Sequence, residues 1–311
     1  MKKVTLGSSN QEVSAVCFGT LPFGTKVSKN DSFSLLDSYF EAGGSFLDTA
    51  NNYSLWHNNG KGGESETVLG HWMKDRRNRD DIFLATKAGF NDDTIGISLS
   101  RKTIISEVDK SLQRLQTDYV DLFYSHTDSR EDALEETLET YDELVASGKI
   151  RFIGCSNYRA WRIQKALEIS DSNSWPSYCC IQQRHTFLRP KPTANFGGQL
   201  SSNEDLLDFC KENEHVRMLA YAPLLRGSYS IAERPIPEQY HTTEMKKKLE
   251  DLHTIANDTG STVNQVIYAW MMQSNPSIIP LIAPTKLDQL HHTLGCLEVN
   301  LAAEQMDILN S

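Results

Sequence analysis

No apolar run in this 311-residue chain approaches the roughly eighteen uncharged positions that a membrane-spanning helix needs, so a membrane partner is not expected. The chain also lacks the apolar segment of an export signal. Met1-Lys2-Lys3 leads instead into the polar Leu6-Gly7-Ser8-Ser9-Asn10-Gln11, which favours a cytoplasmic location. Basic residues are in deficit, 31 Lys and Arg against 41 Asp and Glu, giving a net charge of −10. That field repels nucleic acid and anionic lipid, so any anionic ligand would need a local basic pocket. The six cysteines (Cys17, Cys155, Cys179, Cys180, Cys210 and Cys296) show no paired metal-ligand spacing, and no His-Glu-x-x-His occurs, so no metal is expected. Reduced thiols are the simplest reading, and the vicinal Cys179-Cys180 sits in an apolar run where burial outweighs redox work. A Gly-x-Gly-x-x-Gly after a strand is missing. The loop from Gly19 to Lys26 departs from a phosphate-binding loop because its Lys precedes no Ser or Thr. Linkers and low-complexity runs are absent too, so residues 1–311 are expected to form a single domain.

What is present is a repeated alternation. With 39% hydrophobic and 23% charged residues the composition is that of an ordinary globule. Short apolar runs at 16–19, 45–50, 82–87, 119–126, 150–157, 179–186, 216–223 and 277–283 read as strands. Amphipathic segments at 31–42, 65–76, 101–115, 130–147, 158–168, 202–212, 242–258 with 262–273, and 287–294 read as the helices between and after them. Strand then helix, eight times over, predicts an α/β fold, a (β/α)8 TIM barrel. Ser100, Ser201 and Ser261-Thr262 are the expected N-caps, and Gly43-Gly44, Gly148 and Gly295 the expected helix stops. Residues 4–16, centred on Gly7-Ser8-Ser9-Asn10, predict an N-terminal β-hairpin that plugs the barrel's N-terminal end.

Working residues of such barrels sit at the C-terminal ends of strands. The second strand ends in Asp48 and leads to Tyr53, the third ends at Lys87, and the fourth at His126. Strands about 4.8 Å apart can bring these four side chains together. Singly, each has a structural explanation, since strand-end Asp and Lys often form ion pairs. Together they suggest a tyrosine acid tuned by its neighbours. An ordinary Tyr, with a pKa near 10, exchanges protons poorly at neutral pH. Lys87, held by Asp48, is expected to lower that pKa by roughly two to three, equivalent to about 3–4 kcal/mol. His126 would orient a carbonyl oxygen or share the proton.

Gly44-Ser45-Phe46-Leu47-Asp48-Thr49-Ala50, then Tyr53 and Glu64-Ser65-Glu66, closely resembles the aldo-keto reductase signature. Further blocks follow it in order: Leu84-Ala85-Thr86-Lys87, Asp121 to His126, Gly148 to Asn157, and Tyr221-Ala222-Pro223-Leu224. The resemblance implies NAD(P)H-dependent reduction of an aldehyde, ketone or sugar-like carbonyl, or the reverse, with Asp48, Tyr53, Lys87 and His126 as the catalytic tetrad. It also implies that Ser156, Asn157 and Gln182 hold the nicotinamide carboxamide and that Tyr221 stacks on its ring. An amide needs coplanar donors and acceptors, and a ring face needs a flat platform. Lys286 and Gln289, after the eighth strand, fall where the adenosine phosphate would bind, with Thr285 and Asp288 in capping-box spacing. Only Lys286 is cationic there, and Thr293 replaces the usual late Asn. NADP(H) is therefore expected over NAD(H), with weak discrimination. His185 stands where the family often has Tyr. Trp56 and His57 are the expected substrate contacts, an aromatic platform beside polar groups. Little chain follows the eighth helix, which predicts an open site. The alternative from another class is a nicotinamide-sensing binding or regulatory subunit with little turnover.

Overall fold

The computed structural model describes residues 1–55, 57, 60–90 and 96–311. Ten strands occur among them: β1 Lys3–Thr5, β2 Glu12–Ser14, β3 Cys17–Gly19, β4 Phe46–Asp48, β5 Phe83–Ala88, β6 Val120–Ser125, β7 Ile150–Ser156, β8 Tyr178–Arg184, β9 Arg217–Tyr221 and β10 Ile278–Ile282. Ten α-helices accompany them: α1 Lys29–Glu41, α2 Glu64–Arg76, α3 Arg101–Leu115, α4 Leu134–Ala146, α5 Ala160–Asn173, α6 Glu204–Glu212, α7 Met245–Asp258, α8 Val263–Gln273, α9 Leu287–Leu294 and α10 Ala303–Asn310. Strands β3 to β10 pair in parallel and close into an eight-stranded barrel, β10 meeting β3. All eight expected barrel strands are present. They read clearly because strands of a parallel sheet, covered on both faces, are nearly continuous apolar runs.

The expected hairpin is β1 paired antiparallel with β2, Lys3 opposite Ser14. Its turn presses on the barrel. Leu6 and Val13 are fully buried with Cys17, Phe46, Cys179 and Ile279, residues near the N-terminal ends of barrel strands. Ser8 donates to the His215 carbonyl at 2.8 Å. Gly7, at φ +49°, approaches so closely that a Cβ there would lie 2.0 Å from the Cys179 carbonyl oxygen.

Helix boundaries follow local capping chemistry, with corrections at α4, α5 and α6, of which α5 runs on to Asn173 past the expected 168. Ser100 caps α3 through the Thr103 amide, and Thr262 forms a capping box with Gln265 at α8. Helix α6, however, is capped by Asn203 rather than Ser201, because Ser201 is still bridged to Arg184 in extended conformation. Helix α4 starts at Leu134, not 130: Ser129 and Asp132 bond each other, and Asp132 also accepts from the Leu99 amide, holding the preceding segment as a loop. All six cysteines are free and buried. No helix of the described residues is long and apolar enough to cross a membrane.

Period-two alternation sets what enters the barrel. Phe46 and Asp48 on β4, Ala85 and Lys87 on β5, Leu122 and Tyr124 on β6, and Cys180 and Gln182 on β8 share the inward parity. The apolar members form the floor. The polar members lie one step nearer the C-terminal mouth, and continuing each strand in register adds His126, Arg184 and Tyr221. Outside, α10 packs against α7 and α8: Lys248 donates to the Leu309 carbonyl, and the Trp270 indole to Asn310 Oδ1 at 2.8 Å.

Candidate active site

The four candidate catalytic side chains converge. Lys87, fully buried, places its ammonium 2.5 Å from Asp48 Oδ1, 2.7 Å from the Thr49 carbonyl and 2.9 Å from the Tyr53 hydroxyl. Tyr53 also donates to Asp48 Oδ1 at 3.4 Å. The other Asp48 oxygen accepts from Gln182 Nε2 at 2.8 Å, across the barrel. The Tyr53 and His126 rings meet edge-on, centroids 6.3 Å apart.

The turn carrying Tyr53 is pinned from two sides. Asn51 donates to Glu107 on α3, and Asn52 to the Phe90 carbonyl just past β5, each at 2.7 Å. Behind it the signature Ser65 and Glu66 have structural work. Ser65 is hydrogen-bonded with Thr20 and Thr49, and the fully buried Glu66 takes Thr86 at 2.5 Å and Arg114 at 2.6 Å.

The electrostatics overturn one expectation. Tyr53 is held well above the usual tyrosine pKa, first by burial, then by the Asp48 carboxylate that accepts its proton. Lys87 does not reverse this, because its charge is matched by a carboxylate still closer to it than the phenol. From Tyr53 the pair is nearly neutral, and desolvation governs. His126 is pushed well below its usual value by burial and by Lys87, so its imidazole is neutral at neutral pH. Its Nδ1 is buried without a hydrogen-bond partner among the described residues.

The residues matched to the nicotinamide lie on adjoining strand ends. Ser156 is paired with Gln182 across β7 and β8, and Arg184 with Tyr221 across β8 and β9. Asn157, in the left-handed region at φ 57°, accepts from the Tyr221 hydroxyl at 2.6 Å and from the Leu200 amide, and donates to the His126 carbonyl and Ser156 Oγ. A planar amide group and a partly buried aromatic ring thus stand together, groups of the kind that can hold a carboxamide-bearing ring. Lys286 and Gln289 are exposed. The capping box expected there does not form. Lys286 is itself the N-cap, without a side-chain bond, and Gln289 folds back onto the Thr285 amide and hydroxyl. Arg226, also exposed, lies on the loop after β9, the strand next to β10.

Of the substrate candidates, His57 is half-buried in the turn after Tyr53, while Trp56 lies outside the described residues. The structure adds Phe90, whose ring centroid is 5.5 Å from that of His126. Sequence reading missed it because it follows the end of β5 with no polar signal. His185 is placed away from the tetrad. Its ring lies 5.5 Å from and nearly parallel to Trp270, bonds Ser202 through Nδ1, and is pushed down to about 4 by burial. A flat ring is what the position needs, and imidazole supplies one in place of a phenol. A cavity of about 950 Å³ opens beside His185, Phe187 and Trp270. None of the four tetrad residues lines it.

The Aldo/keto reductase family profile matches residues 15–311, and the chain belongs to that family. It is 28% identical to norsolorinic acid reductase B of Aspergillus parasiticus, over 96% of this chain and 80% of that protein. It is 27% identical to an aryl-alcohol dehydrogenase (NADP(+)) of Phanerodontia chrysosporium, over 96% and 82%. A thermostable aldo-keto reductase crystallised with the inhibitor epalrestat superposes with a TM-score of 0.76 at 27% identity, over 100% of this chain and 99% of that one. Family and relatives define an oxidoreductase, and they support carbonyl reduction in general.

Proposed function

We propose that this protein is an NAD(P)H-dependent reductase of aldehyde or ketone carbonyls, sugar-like ones included, with Tyr53 as general acid. The observation that carries the reading is the Lys87 ammonium, 2.9 Å from the Tyr53 hydroxyl and 2.5 Å from Asp48, beside a neutral His126 at the barrel mouth. Tyr53 stays protonated at neutral pH and gives its proton to the carbonyl oxygen. Lys87 stabilises the phenolate left behind, and Asp48 and the Thr49 carbonyl position Lys87. His126, uncharged, orients the carbonyl. Ser156, Asn157 and Gln182 would hold a nicotinamide carboxamide, with Tyr221 under the ring. When bound, the reduced cofactor supplies the hydride. Asn157 would give up one of its present partners on binding.

Within the carbonyl class, aromatic substrates are favoured. Phe90 provides a ring face beside His126, and the relatives named above are a norsolorinic acid reductase and an aryl-alcohol dehydrogenase. Tyr53→Phe should abolish turnover of benzaldehyde while NADPH still quenches tryptophan fluorescence with about the same midpoint. Near-full activity in that variant would show that Tyr53 is not the acid.

A further inference from the structure

Arg184 ends β8 on the same inward face as Gln182, two residues nearer the mouth, and is only partly buried. Its surroundings are neutral. Nε and Nη2 both donate to one oxygen of Gln199, at 3.2 and 2.6 Å, and its plane lies 4.7 Å over Phe196 and 5.7 Å from the Tyr221 ring. Among the described residues no carboxylate forms an ion pair with it. Arginines of similar burial elsewhere are balanced: Arg79 by Asp121, Arg114 by Glu66, Arg162 by Asp128. Arg217, which forms no ion pair among the described residues, has Glu214 nearby and bonds the Thr5 and Ser277 carbonyls. Arg184 has neither. A cation fixed in orientation by an amide and an aromatic face, with no counter-charge among the described residues, is pre-organised for an incoming anion.

The segment that fixes it points to which anion. Gln199 follows Gly198, which sits against Phe90 so closely that a Cβ would be 2.9 Å from that ring. Phe90 in turn flanks His126. The next residue, Leu200, bonds Asn157. One short stretch, 196–200, therefore reaches from Arg184 to the ring beside the carbonyl-orienting imidazole, which puts the cation and the reacting end at the same mouth of the barrel.

We propose that Arg184 is a specificity determinant that pairs with a carboxylate carried by the substrate, so that the favoured substrates are aromatic carbonyl acids. This rests on the carbonyl-reductase reading of the site. The guanidinium takes the carboxylate by a charge-assisted pair while Phe90 faces the ring.

The test is steady-state kinetics on benzaldehyde and its 2-, 3- and 4-carboxy derivatives, with NADPH binding measured separately by fluorescence titration. Wild type should prefer at least one carboxy isomer. Arg184→Gln should lower the kcat/KM ratio of that isomer to benzaldehyde by about 30-fold, through KM, while Arg184→Lys should recover part of it. A purely structural role would depress both substrates alike and would not follow charge. The proposal is overturned if wild type prefers no carboxy isomer, if the ratio survives Arg184→Gln, or if that variant weakens NADPH binding with the ratio intact, which would assign the cation to the cofactor. Absence of turnover on every aldehyde would instead sink the reductase reading, and this proposal with it.

Discussion

The buried pair at the centre of the site offers a sharp energetic test. Lys87 and Asp48 are both fully inaccessible and 2.5 Å apart. At an effective dielectric near 20, unit charges at that separation attract by about 7 kcal/mol, much of it offset by the cost of dehydrating both. Removing one partner leaves the dehydration cost of the other without its compensation. Asp48→Asn strands an ammonium that retains only the Thr49 carbonyl and the Tyr53 hydroxyl, and Lys87→Met strands a carboxylate that retains Gln182 and Tyr53. Each single change should cost roughly 3–5 kcal/mol, read from urea unfolding midpoints near neutral pH. The double variant removes both charges and keeps an amide for Gln182, so it should be more stable than either single one. A coupling energy of about 3 kcal/mol or more is expected. Additive losses, or singles costing under about 1 kcal/mol, would refute the view of a desolvated, mutually compensated pair.

His185 gives a pH prediction. Its folded pKa is about 4 against an ordinary 6.5, so between those values the unfolded chain binds a proton that the folded chain does not. Stability from this group is complete above about pH 6.5 and is lost as pH falls toward 4, amounting to about 3 kcal/mol. His185→Phe, which keeps the flat contact with Trp270, should shrink the stability difference between neutral pH and pH 4 by about that amount, and identical pH curves would refute it. Cofactor discrimination should be weak. With Lys286 exposed and Gln289 bonded to Thr285, titrations with NADPH and NADH should give dissociation constants within about 30-fold, and a thousandfold preference, about 4 kcal/mol, would refute a phosphate site with Lys286 as its one cation.

The barrel was legible because its strands and helices announce themselves locally. Apolar runs such as Ile278–Ile282 have no polar face to confuse the reading, and caps such as Thr262 with Gln265 lie within one turn. Convergence of Asp48, Lys87 and His126 was legible for a related reason, since once strand order is known, strand ends become neighbours. What escaped depends on contacts between distant segments. The partner of Arg184 is fifteen residues away on an irregular loop, and the ring that explains His185 lies on α8. The adjacent His291 and His292 point apart on α9, bonding Ser38 and Thr262 respectively. The Tyr53 error was one of order rather than of membership. Composition at the strand ends tells that an ammonium and a carboxylate both neighbour the phenol, but the sign of their combined effect is set by a few tenths of an ångström and by burial.

That sign bears on how the proposed acid works. A phenol with a lowered pKa would be partly ionised before reaction, and every ionised molecule would be unable to donate. Tyr53, held above its ordinary value, is protonated throughout the neutral range, so all of the protein is ready to act. The penalty is a weaker intrinsic acid, and it must be recovered where charge develops. Lys87 is placed for that. Its 2.9 Å contact with the phenol oxygen is a modest hydrogen bond while the proton is in place and becomes an ion pair as the proton leaves. Because the ammonium is already dehydrated and held by Asp48 and the Thr49 carbonyl, little reorganisation is needed at that moment. Asp48 is then a positioning residue whose carboxylate has two opposed effects: it anchors the ammonium, and it disfavours the phenolate. A neutral His126 fits the same logic, since a second full positive charge would compete with Lys87 in a dry site, whereas an imidazole N–H can direct a carbonyl oxygen without that cost.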